Sequence, residues 1–145
     1  MKNVIKTSIT INASAQRVWD ILVDLESYSQ WNPFILRAQG TIALGQRLVC
    51  EPKLPGGRQY TFTPTITRCV PGTEFACTGD VIHSAIAAGE HIFRIREIAA
   101  NKVELIHEEV FTGLLAPLVM YFAKDQTTRG FILMNEALKK KAEAS

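Results

Sequence analysis

Two histidines and a glutamate fall in phase on neighbouring strand-like segments: His91 within residues 90–98, and His107 with Glu109 within 102–112. A carboxylate beside an imidazole in an apolar hollow can hold or transfer a proton, because burial and mutual charge displace both pKa values. Such a cluster suits general acid–base chemistry. It equally suits orienting a ligand hydroxyl or carbonyl without reaction, or a structural pair in which two buried polar groups satisfy each other. Two histidines and one glutamate also match a metal-site inventory.

Alternation decides which way the cluster faces. In residues 90–98 one face holds His91, Phe93 and Ile95, and the other Glu90, Ile92, Arg94 and Arg96. The charged face should meet water. In residues 102–112 the more apolar face holds Val103, Leu105, His107, Glu109 and Phe111. Ala99-Ala100-Asn101 joins the segments as a hairpin. One register pairs Phe93 with His107 and His91 with Glu109. A two-residue slip pairs Ile95 with His107. Either gathers the three polar residues on the inner face.

The remaining elements must hold that hairpin. Residues 4–11 alternate as a strand, and Ser14 is a helix N-cap ahead of Val18, Ile21, Leu22 and Leu25 at helical spacing. A second short helix or turn covers 26–33. Strand patterns follow at 34–39, 46–53, 58–70 with a bend at Pro64, and 74–80. Small residues fill 84–89, read as an irregular connection or a lid over 81–89 with Ile86 as plug; His83 reads as exposed. From Leu115 to Ala144 no strong breaker follows Pro117, predicting one long helix with a stripe of Leu118, Phe122, Gly130, Leu133, Met134, Ala137 and Leu138.

Composition excludes several classes. The 145 residues carry a net charge of +2, with 47% hydrophobic and 21% charged residues, an ordinary mix for one domain, 1–145. The basic run Lys139-Lys140-Lys141 sits at a helix C-terminus, where the dipole favours cations, so no nucleic-acid partner is expected. No apolar run reaches the length of a membrane span. Met1-Lys2-Asn3 leads straight into a strand pattern without a leader, so the cytoplasm is the expected compartment. Cys50, Cys69 and Cys77 form neither CxxC pairs nor a disulfide framework. Trp19 and Trp31 read as structural.

The order strand, two short helices, six strands, long helix resembles the α+β helix-grip fold of the START-like superfamily, in particular the small bacterial polyketide cyclase/dehydrase-like group. The resemblance rests on residues 18–22, Tyr28 to Phe34, Gly89 to Arg94, His107 to Leu115, Gly130-Phe131, Met134-Asn135 and Ala137 to Lys139. It implies a seven-stranded curved antiparallel sheet wrapped around the long C-terminal helix. It also implies a cavity for a small hydrophobic or amphipathic ligand, with no metal or cofactor.

The expected lining is Phe34, Tyr60, Phe62 and Ile66 on the early strands, and Phe75, Cys77, Ile86, His91, Phe93, His107, Glu109 and Phe111 on the later ones. Leu118 and Phe122 would close it from the helix. Binding of a small apolar molecule is the first functional reading. A cyclase/dehydrase-like enzyme using Glu109 with His107 or His91 is the second, and a protein-interaction module the third. The oligomeric state, monomer or homodimer, stays open.

Overall fold

Alternating burial builds the first strand. β1 (Val4–Ile11) buries Ile5 and Ile11 and exposes Lys6, Ser8 and Thr10. The Ser14 side chain accepts from the Arg17 amide at 3.1 Å, capping α1 (Ala15–Val23), whose Val18, Trp19, Ile21 and Leu22 face inward. A single turn at Leu25–Ser27 leads into α2 (Tyr28–Trp31). The computed structural model describes residues 3–80, 83 and 85–144; Val81, Ile82 and Ser84, part of the 81–89 lid expected from sequence, lie outside them.

The remaining elements are β2 (Ile35–Gln39), β3 (Val49–Pro52), β4 (Thr65–Val70), β5 (Glu74–Asp80), β6 (Ala88–Ala99), β7 (Lys102–Thr112) and α3 (Ala116–Glu143). Among the described residues seven strands are present, divided between two sheets. Five form an antiparallel sheet in the order β1-β7-β6-β5-β4, and β2 pairs with β3 separately. Isolated bridges, Cys50–Phe62 and Arg47–Thr65, run β3 and the residues just before it alongside the segment that leads into β4.

The long strand expected over 58–70 is interrupted. Regular pairing starts only at Thr65. Proline has no N–H for a ladder, and the Pro64 carbonyl turns instead to the Leu48 amide at 2.8 Å. Tyr60, Phe62 and Ile66 therefore do not act as one face: Tyr60 and Phe62 line a cavity, while Ile66 is wholly buried in the core.

The hairpin β6–β7 takes the first register, His91 opposite Glu109 and Phe93 opposite His107. Val103, Leu105, His107 and Phe111 are buried on β7, as are Phe93 and Ile95 on β6. Ion pairs of Arg94 with Glu74 and Glu108, and of Arg96 with Glu104, occupy the other face.

α3 packs against β1, β7 and α1. At 1.5 Å per residue its 28 residues span roughly 40 Å. Ala116, Thr127, Gly130, Phe131, Met134, Asn135, Leu138 and Ala142 are its buried positions. Arg17 closes its far end, donating from Nε to the Ala142 carbonyl at 2.7 Å and from Nη2 to those of Lys141 and Ala144. The expected stripe is out of phase at several positions. Leu118 lies nine residues before the buried Thr127, about half a turn round the axis at about 100° per residue. Leu118 and Phe122 consequently point outward, at 51% and 74% exposure, as does Leu133.

Candidate functional site

A cavity of about 320 Å³ opens between the sheet, the β2–β3 pair, the turn at Leu25–Ser27 and the first half of α3. Local features place its walls. Asn32 Oδ1 accepts from the amides of Phe34 and Ile35, both at 2.9 Å, and so fixes the turn that points Phe34 inward. Tyr28 donates its hydroxyl to the Leu22 carbonyl, leaving its ring against the cavity. Cys50 and Cys77 are free thiols on the wall. Burial pushes the Cys50 thiol up to about 11 and that of Cys77 further, so both stay protonated, apolar wall groups.

One corner of this apolar space is polar. Glu109 and His91, paired across β6 and β7, both line the cavity. The Glu109 carboxyl has no hydrogen-bond partner among the described residues, and its half-buried side chain lies on the cavity wall. Burial pushes its pKa up to about 7. It lies over Gly89, where a Cβ would come within 2.5 Å of Glu109 Oε2; only glycine leaves the carboxyl that room.

His107 is completely buried and lies behind His91, off the cavity wall. The two imidazoles meet head to head, Nε2 to Nε2 at 2.6 Å, with ring planes inclined by only 23°. Phe131 and Phe93 flank His107, with ring centroids 3.9 and 4.3 Å away. Beyond it, His107 Nδ1 sits 2.8 Å from Asn135 Oδ1. Asn135 Nδ2 donates to Thr7 Oγ1 at 2.9 Å, and Thr7 donates to the His107 carbonyl at 2.9 Å. Burial holds the His91 pKa down to about 4. For His107, burial and then the adjacent His91 hold it well below the ordinary imidazole range. Both rings are therefore neutral near pH 7.

Of the residues selected from sequence, Phe34, Tyr60, Phe62, Phe75, Cys77, His91, Phe93, Glu109 and Phe111 line the cavity. His107 and Ile66 do not, being one layer deeper. Ile86 sits in a turn packed on Gly113, with its carbonyl accepting from the Leu115 amide, and does not line the cavity. Leu118 and Phe122 are replaced by Val119, Ala123 and Thr127, which α3 turns toward the cavity. His83 is exposed. Among the described residues no group of His, Cys, Asp and Glu is arranged to hold a metal ion.

Asn135 and Thr7 escaped the sequence reading. The available signal was Asn135 itself, a polar residue within the apolar spacing of Phe131, Met134 and Leu138.

The sequence matches the family described as polyketide cyclase/dehydrase and lipid transport over residues 3–143. The chain belongs to this family. No curated protein matches it. Among solved structures, this cyclase/dehydrase-family chain superposes on the Zhui aromatase/cyclase from Streptomyces sp. R1128 with a TM-score of 0.78 and 18% identity, covering 97% of this chain and 93% of that one. A START superfamily protein from Mycobacterium smegmatis gives a TM-score of 0.75 at 18% identity, covering 97% of each chain. The di-domain aromatase/cyclase BexL of the BE-7585A biosynthetic pathway gives 0.69 at 15% identity, over 98% of this chain and 50% of that one. These likenesses establish the helix-grip fold for this family member. No helix among its described residues is long and apolar enough to cross a membrane.

Proposed function

We propose that this protein binds one small, mainly apolar molecule with a single polar end, and that the chain acts as one binding domain. The cavity carries this reading. Its volume of about 320 Å³ falls at the lower end of the roughly 300–1,000 Å³ of ligand pockets, and its mostly apolar wall with few polar groups is the usual pattern. Membership of a family described by cyclase, dehydrase and lipid-transport activities supports it. An interaction module would need no such space, and a filled core would serve it better.

Native mass spectrometry of the purified protein tests the reading, together with titration by 1-anilinonaphthalene-8-sulfonate. A co-purifying molecule or saturable dye binding is the expected result. Ala123→Trp, which fills the cavity from α3, should weaken dye binding at least tenfold. If neither a molecule nor saturable binding appears, the reading fails.

One observation favours a catalytic second reading. The Glu109 carboxyl is unpartnered among the described residues and titrates near 7, where a general base works best. It would take a proton from a bound substrate while His91 holds an oxygen; His107, off the cavity, would position His91. Glu109→Gln should then abolish turnover of a polyketide-like substrate while preserving its binding. Unchanged turnover removes this reading.

A further inference from the structure

The hydrogen-bond chain behind His91 has a definite direction. Its fixed point is the His107 carbonyl, which can only accept. Thr7 must therefore donate its hydroxyl there, so Thr7 Oγ1 accepts from Asn135, and the Asn135 atom facing Thr7 must be the amide nitrogen. That turns Asn135 Oδ1 toward His107, and His107 must carry its proton on Nδ1. Its Nε2 is then a bare lone pair. At 2.6 Å the facing His91 Nε2 must supply the proton between them. Neutral His91 is thus protonated on Nε2 and bare on Nδ1. The Nδ1 atom, on the ring edge turned away from His107, has no partner among the described residues and is not a sealed, unsatisfied atom. The ring lines the cavity.

We propose that this relay makes His91 Nδ1 a fixed hydrogen-bond acceptor in the cavity, selecting ligands whose polar end carries a hydroxyl, an alcohol or phenol, over ethers and ketones of the same shape. The proposal rests on the binding reading and specifies its ligand class. An acceptor-only oxygen facing His91 Nδ1 meets lone pair against lone pair. It also loses its bond to water on entry, whereas a hydroxyl exchanges that bond for an equivalent one. His107, Asn135 and Thr7 act as positioning residues, setting the tautomer without touching the ligand.

Wild-type protein tests this at pH 8 with 2-naphthol, 2-methoxynaphthalene and naphthalene, titrated by calorimetry or fluorescence. 2-Naphthol should bind about tenfold more tightly than either analogue, the discrimination expected when a site must hydrogen-bond a ligand hydroxyl. Histidine 15N chemical shifts should show protonation at His91 Nε2 and His107 Nδ1, and the His91 Nδ1 signal should move on adding 2-naphthol but not 2-methoxynaphthalene, a response that a purely structural relay would not give. The preference should disappear in His91→Phe and persist at pH 5.5, where burial keeps the Glu109 carboxyl protonated and His91 is still neutral. Equal affinities within twofold, the reverse tautomers, or a preference that follows Glu109 instead of His91 would overturn the proposal while leaving apolar binding intact. If none of the three compounds binds saturably, the binding reading fails and this inference falls with it. The ligand comparison and the spectra use the unaltered chain, so neither depends on a variant folding.

Discussion

Replacing Glu109 by glutamine should stabilise the protein at alkaline pH and leave it nearly unchanged at acid pH. A carboxyl titrating near 7 in the folded chain instead of 4.5 binds its proton more tightly on folding, by about 3 kcal/mol at ~1.4 kcal/mol per pH unit. The folded state holds more protons than the unfolded one between those values. Its stability therefore falls as pH rises through that window, the opposite of an ordinary salt-bridged acid. Glutamine has no such dependence. The variant-minus-wild-type difference should grow from near zero at pH 4.5 to at most about 3 kcal/mol at pH 8, less where water enters the cavity to solvate the carboxylate. With a urea m-value of roughly 2 kcal/mol/M, that is a midpoint increase of up to about 1.5 M, read by fluorescence of Trp19 and Trp31. His91 and His107 work the other way: held neutral by burial, they cost stability as pH falls below about 6.5. They are common to both proteins and cancel in the difference. A difference that stays flat between pH 4.5 and 8 would refute the placement of Glu109 in a water-poor corner.

Asn135→Leu keeps the branched shape but strands the His107 Nδ1–H, and should destabilise by about 2 kcal/mol or more, seen as a melting-temperature drop of at least roughly 6 °C. Arg17→Ala removes the side chain that caps three carbonyls of α3. It should cost about 1 kcal/mol and raise amide exchange selectively at the last turn of that helix. Leu118→Ser and Phe122→Ser, on the outward face, should stay within about 0.5 kcal/mol of wild type and keep dye affinity; a tenfold loss of binding in either would contradict the helix phase.

Much of this architecture was legible because strand alternation reports burial directly. The inward faces of β6 and β7 follow from charge on one side and apolar residues on the other. The choice between two registers did not, since a two-residue slip preserves both faces. The helix phase failed for a different reason. Between Leu115 and Phe122 nearly every residue is apolar, so periodicity carries no direction there. Only the second half of α3, where Lys, Glu and Arg mark the solvent side, fixes the rotation. Pro64 was visible as a bend, but its consequence, separating Tyr60 and Phe62 from Ile66, depends on pairing with residues far along the chain. The relay was hidden for the same reason: Thr7, His107 and Asn135 lie on three elements that only the fold brings together.

Glycines behind its walls leave the cavity room. Phe62, Glu109 and Phe34 all line it, and each lies over a glycine: Gly79, Gly89 and Gly130 respectively. Large side chains recline against backbone instead of standing across the space. A methyl group at any of these positions would lift its neighbour into the cavity. Gly130→Ala shows which effect wins. Alanine favours the helix by about 1 kcal/mol, but its Cβ would come within 2.6 Å of the Phe34 ring, and such overpacking costs about 1–3 kcal/mol. The expected outcome is a small net loss of stability in urea unfolding. Ligand affinity should fall more sharply, because Phe34 moves toward the bound molecule. A variant that gains stability and binds 1-anilinonaphthalene-8-sulfonate as wild type would mean that Phe34 yields elsewhere, and that the glycine is not what keeps this part of the cavity open.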